Sequence, residues 1–169
     1  MESVPYDKRT GKIWFNGQSI DWDKANIHVL NHGLHYASCV FEGERVYDGE
    51  IFKLEEHTER LFHSAKRMGI KVPYSQKEIN DACKNIVNIQ KVQNGYVRPV
   101  IWRGSEMMAI SAQKNKIHVA IATWEWGSYF DPKLKLKGIR LNISSWRRPH
   151  PNSIPWDTKA AGLYLICTL

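Results

Sequence analysis

Between residues 54 and 90 the apolar side chains recur at helical spacing, whereas on both sides of that stretch they come in short β-prone runs. A chain with this order has to lay two consecutive helices against a sheet assembled from segments that precede and follow them. Leu54, Leu61, Phe62, Ala65 and Met68 share one helical face, with Glu55, Glu59, Lys66 and Arg67 opposite, and Gly69 supplies the stop. After Pro73, Ser75-Gln-Lys-Glu78 is a capping box that opens a second helix with an apolar stripe of Ile79, Ala82, Cys83, Ile86 and Val87.

Around this pair the strand signals are of two kinds. Asn16-Gly17 divides Lys12 to Asp21 into a hairpin, and Asp48-Gly49-Glu50 separates the β-prone runs Val40 to Tyr47 and Ile51 to Leu54. Three longer runs follow the helices: Tyr96 to Trp102, Ile117 to Trp124 and Gly138 to Trp146, all rich in Val, Ile, Thr or aromatic residues. Strands, two helices, then strands is an α+β order, without the regular alternation of a doubly wound sheet. The expected division is a small domain over 1–123 with an antiparallel sheet and two helices, a linker over 124–137, and the start of a second α/β domain over 138–169.

Composition narrows the function classes. With 169 residues, 43% of them hydrophobic, the chain can bury one good core, or one small domain and part of another. The net charge of +7 comes from 24 Lys and Arg interleaved with 17 Asp and Glu, a bias toward anionic ligands. No basic run, zinc-finger spacing or RNA-binding aromatic motif accompanies the charge, so nucleic acid is not an expected partner, and no metal site is expected. Cys39, Cys83 and Cys167 are odd in number, far apart and in apolar surroundings, which reads as reduced, buried thiols. With no signal-peptide core and no membrane-length apolar run, the expected location is the cytoplasm.

The chemistry concentrates in the last segment, Trp146-Arg-Arg-Pro-His-Pro-Asn-Ser-Ile-Pro-Trp-Asp-Thr-Lys159-Ala-Ala-Gly-Leu-Tyr164. Its prolines disfavour regular structure up to residue 155, and Lys159 then stands where a loop meets an apolar, helix-prone run. A lysine partly desolvated there would have a lowered ammonium pKa and an amine free to attack a carbonyl. On spacing alone, a solvent-exposed lysine at a helix start is the default reading.

Further motifs occur in order along the chain: His32-Gly-Leu-His-Tyr36, Val40-Phe-Glu-Gly43 with Arg45, Glu56-His-Thr-Glu-Arg60-Leu, Tyr96-Val-Arg98-Pro, Trp126-Gly-Ser-Tyr129, and Asn152-Ser-Ile-Pro followed by Lys159-Ala-Ala-Gly-Leu-Tyr164. Together they resemble the signature of branched-chain amino-acid aminotransferases, pyridoxal 5'-phosphate (PLP) enzymes of fold type IV. The resemblance runs from about residue 12 to the end of the chain and covers about half of a family member.

The resemblance implies that Lys159 forms the Schiff base with PLP and then shuttles the substrate proton. It implies that Tyr164 hydrogen-bonds the cofactor's phenolic oxygen, and that Arg60 grips its phosphate with a fixed fork of donors. Without it, Tyr164 reads as a buried aromatic and Arg60 as a surface partner of Glu56. Phe41, Gly43, Trp126 and Tyr129 are implied in an apolar pocket for Leu, Ile and Val side chains, while Tyr36 and Arg98 would let it accept glutamate and 2-oxo acids. Ser105 to Ser111, with Met107, Met108 and Ile110, matches a loop that family members lend to a partner subunit, which implies a homodimer. PLP would lie in the cleft between the two domains.

Two positions depart from the pattern. The family usually has Gly where Ala37 stands and an apolar residue where Glu44 stands; that carboxylate could pair with Arg45 or repel glutamate. The acidic partner of the pyridine nitrogen and the phosphate-binding turns of the family's second domain are not among these residues, so the expectation is little transaminase activity from the 169 residues alone. A D-amino-acid aminotransferase or aminodeoxychorismate lyase would share Lys159 and Arg60 but not the His-Gly-Leu-His-Tyr and Phe-Glu-Gly signatures. A non-catalytic remnant is the remaining alternative.

Overall fold

The computed structural model describes residues 4–127 and 136–168. Its centre is a seven-stranded antiparallel sheet: β1 (Lys12–Phe15), β2 (Gln18–Asp21), β3 (Cys39–Phe41), β4 (Glu44–Tyr47), β5 (Glu50–Ile51), β6 (Gly95–Arg103) and β7 (Ile117–Glu125). The spatial order is β2-β1-β7-β6-β4-β5, with β3 also paired to β6. Both expected hairpin turns form, and each uses positive φ at its two central residues: 49° and 92° at Asn16 and Gly17, 49° and 83° at Asp48 and Gly49.

The expected run from Val40 to Tyr47 is one line of chain read as two strands. Phe41 pairs with Val100 and Glu44 with Val97, so both halves lie in the same register on β6. At the gap, the Glu42 amide donates to the Pro99 carbonyl at 2.9 Å. Pro99 has no N–H to return, so the ladder thins at Glu42–Gly43.

Helices α2 (Leu54–Arg67) and α3 (Gln76–Gln90) cover one face of this sheet, and the Ser75–Glu78 capping box is present in both directions. Gly69, at φ 64°, ends the first. Leu61, Ala65, Ile79, Cys83 and Ile86 meet Val40, Val46, Val97, Ile101, Val119 and Ile121 in a continuous core. A short helix, α1 (His32–Tyr36), precedes β3 and is capped by the Asn31 side chain.

Two expectations fail. Gly138–Trp146 is not a strand: the segment is exposed throughout, with Leu141 and Ile143 among the most exposed apolar residues. Its Ile143 and Trp146 amides bond instead to the neighbouring Asn142 and Ser144 side chains, because no sheet edge among the described residues is there to pair with it. Cys167 is exposed rather than buried, although all three cysteines are free. The helix-prone run after Lys159 forms as a 3-10 helix, Ala161–Cys167, and no helix among the described residues is long and apolar enough to cross a membrane.

Candidate active site

Strand alternation sorts side chains before any helix is added. In the 40–46 line the even residues Val40, Glu42, Glu44 and Val46 turn toward α2 and α3, while Phe41, Gly43 and Arg45 face the other way. On β6, Val97 and Ile101 join the helix-covered face and Tyr96, Arg98, Val100 and Trp102 the open one.

The segment carrying Lys159 is tied to the free edge of β3. The Phe41 amide donates to the Lys159 carbonyl at 3.2 Å, and Val40 bridges Ala160. From α2, Ser64 Oγ accepts the Lys159 amide at 3.0 Å, and Asp157 binds His63 and Arg67. Lys159 is therefore half-buried with its main chain held from both sides.

Its side chain meets the partners the sequence suggests. Nζ donates to the Tyr164 hydroxyl at 2.8 Å and lies 4.6 Å from the centre of the Phe41 ring. Phe41 packs edge-on against Tyr164 at 4.8 Å, and the Arg98 guanidinium sits 4.6 Å from the same Phe41 ring. Tyr164 is thus a surface-reaching hydrogen-bond partner, not the buried aromatic of the motif-free reading.

Arg98 also donates to the Tyr96 hydroxyl at 3.2 Å, and Tyr96 packs against Trp126 at 4.9 Å. A Cβ on Gly43 would collide with the Tyr96 hydroxyl, which accounts for glycine there. Beside this cluster, Ile13, Phe15, Ile27, Leu34, Cys39, Arg98, Val100, Trp102 and Ala161 help line an apolar cavity of about 400 Å³. Burial, only partly offset by Arg98, pushes the Cys39 thiol up to about 11.

Arg60 does not pair with Glu56, which binds Lys53. Its Nε and Nη2 grip the two Glu42 oxygens at 2.6 and 2.8 Å, and His57 Nδ1 lies 2.9 Å from the same carboxylate. Burial alone would raise the Glu42 pKa, but the bonds from Arg60 and His57 outweigh it and hold the carboxyl below its ordinary value. The Glu42 hydrogen bond in turn raises Arg60, which also feels Tyr164. The Arg60 side chain remains 51% exposed, and its Nη1 edge has no hydrogen bond among the described residues.

Tyr36 is not brought to this cluster: its hydroxyl donates to the Met108 carbonyl at 3.1 Å, next to His32, whose ring nitrogens contact Ser38 Oγ and the Ala109 carbonyl. Tyr129 lies outside the described residues. Glu42, Tyr96, His57 and Ser64 were missed as site residues, although the first three stand inside the quoted motifs. Glu44 makes no pair with Arg45, which points to the open face near Tyr47 and the Gly127 carbonyl. Ala37 takes φ 52° at the end of α1, the left-handed conformation for which glycine is suited.

Known proteins resemble this chain over nearly all of its length. A family model described as amino-transferase class IV matches residues 39–169. The branched-chain-amino-acid aminotransferase of Pseudomonas aeruginosa is 42% identical over 161 residues, 93% of this chain and 52% of that protein. The Escherichia coli K12 enzyme of the same name is 37% identical over 96% of this chain and 54% of its own length. Among solved structures, the branched-chain amino acid aminotransferase of Thermoproteus uzoniensis with norvaline superposes with a TM-score of 0.85 at 34% identity, covering 93% of this chain and 53% of that one. The chain spans about half the length of the curated relatives it matches. On the match of the family model to most of its length, the chain belongs to the class IV aminotransferases.

Proposed function

We propose that this chain carries part of a branched-chain amino-acid aminotransferase, which moves the amino group of L-leucine, L-isoleucine or L-valine to 2-oxoglutarate with PLP. The observation that carries this reading is the Lys159 amine, 2.8 Å from the Tyr164 hydroxyl and seated over Phe41, with the Lys159 main chain held by Ser64 one helical turn from Arg60. These side chains suit the cofactor: a primary amine for its carbonyl, a phenol for its ring oxygen, and a guanidinium with one edge fixed and one open for its phosphate. PLP, when bound, supplies a carbonyl that joins amines and a ring that draws electrons from the substrate Cα.

The protein's own part is positioning and proton movement. Lys159 would hold the cofactor through its carbonyl, and the same amine is placed to serve as the base that takes and returns a substrate proton. Tyr164 orients that amine, and Phe41 shields it from water on one side. Gly43, Trp126 and Tyr129 would shape the wall for branched side chains, with Arg98, and Tyr36 from its place beside the Met108 loop, serving the glutamate carboxylate. The reading includes a cytoplasmic homodimer contacting through Ser105–Ser111, a linker over 124–137, and 138–169 as the beginning of the PLP-binding domain.

The test is borohydride reduction of the protein with added PLP, followed by peptide mass analysis. The expected result is PLP mass on the Lys159 peptide, lost in Lys159→Ala. Absence of an adduct on Lys159 overturns the proposal.

A further inference from the structure

Glu44 is fully buried, and neither of its side-chain oxygens has a hydrogen-bond partner among the described residues. It stands two residues from Glu42 on the same face of the 40–46 line, so two carboxyls are enclosed side by side between sheet and helices. Around Glu44, α2 contributes Arg60, which already holds both Glu42 oxygens, with His57 beyond it, and α3 contributes the buried Cys83. Val97, opposite Glu44 on β6, is apolar. Among the described residues, only Glu42 of the two carboxyls is charge-paired at close range. Glu42 has Arg60 and His57 to balance its charge, whereas Glu44 is enclosed beside it with no donor among the described residues, so Glu44 is the carboxyl that must keep its proton.

We propose that Glu44 is a positioning residue that acts on Arg60 through Glu42: it stays a neutral acid in the folded protein and so leaves Glu42 as the single charged group that fixes the guanidinium. This rests on the reading of Arg60 as the phosphate ligand. When Glu44 does ionise, the Glu42–Glu44 pair shares one more negative charge, the Glu42 carboxylate is pushed to re-pair or open toward water, and Arg60 loses its fixed edge. Burial, then the Glu42 charge, moves Glu44 from its ordinary value of 4.5 up to about 8, with Arg60 opposing in part, so the change falls on the alkaline side of neutrality. Because the folded pKa is raised, the stability contribution is complete below the ordinary value of 4.5, declines as pH rises, and has been lost by about 8.

The experiment compares the protein with Glu44→Gln and Glu44→Leu, the second as an apolar occupant should the amide fold poorly. Infrared spectra at neutral pH should contain a protonated-carboxyl band that both variants lack and that fades as wild type passes about pH 8. Wild-type Tm should fall relative to either variant across the interval from 4.5 to about 8 and run parallel above it. PLP affinity, read by fluorescence quenching, should weaken about threefold more between neutral and alkaline pH in wild type than in either variant. Loss of no band in the variants would show Glu44 ionised and overturn the proposal, as would superimposable affinity profiles. If no protein binds PLP at any pH, the cofactor reading fails, and the infrared and Tm comparisons still decide whether Glu44 holds the proton.

Discussion

The two faces of the sheet are built from the same strands by simple alternation, yet they do different work. The face under α2 and α3 is sealed: Val40, Val46, Val97 and Ile101 are fully buried there, and its two carboxyls are enclosed with them. The opposite face keeps Phe41, Tyr96, Arg98 and Trp102, the last two lining a cavity, and there the Arg98 cation lies over the Phe41 and Tyr96 rings. One residue of shift along a strand moves a side chain between a region that sets stability and a region that contacts ligands. Glu42 belongs to the first by position and to the second by consequence, because its partner Arg60 reaches the surface.

That contrast can be broken from the sealed side first. Leu61→Ala, which empties a fully buried site on α2, should cost roughly 2–5 kcal/mol of unfolding free energy in denaturant titrations, against less than about 1 kcal/mol for Val100→Ala on the open face. Equal losses would mean that the two faces are not distinct in packing. Glu42→Gln should cost about 1–2 kcal/mol at neutral pH, less than for a pair buried on both sides, since water screens the half-exposed Arg60. Its folded pKa is depressed, so the wild-type contribution is present above 4.5 and is lost as pH falls through the folded value. The wild-type curve should therefore turn down in acid where that of Glu42→Gln stays flatter. The smallest effect lies outside both faces: Ala37→Gly should stabilise by about 0.5–1 kcal/mol by removing a Cβ from a left-handed residue, measured as a rise in Tm.

Local signals in the sequence account for much of this architecture. Asn-Gly and Asp-Gly turns, the Ser75–Glu78 box and the helical stripes specify their elements through neighbours in the chain, and they appear where expected. Gly138–Trp146 has the composition of a strand but no edge to pair with among the described residues, and pairing is a property of the sheet, not of the segment. Pro99, inside the Tyr96 to Trp102 run expected as a strand, does sit within β6, with Ile121 opposite it on one side and its carbonyl serving Glu42 on the other. At the site, Lys159, Tyr164, Phe41 and Arg98 were recognisable from their motifs, and the structure gathers them. The burial of Glu42 and Glu44 was hidden by the habit of reading charge as exposure. The period-two run Val40, Glu42, Glu44, Val46 contained the signal, since residues flanked on one face by two buried valines share that face.

The anchoring of residue 159 at both its amide and its carbonyl has a mechanical consequence. With the main chain pinned to Ser64 on one side and Phe41 on the other, the lysine stem behaves as a boom on a fixed pivot: its tip can sweep an arc, but its base cannot drift. The reach of the amine is then set when the sheet edge and α2 come together, before any ligand arrives. Ser64, buried and bonded only to main chain at this point, thereby helps decide where a nitrogen at the far end of the lysine stem can go.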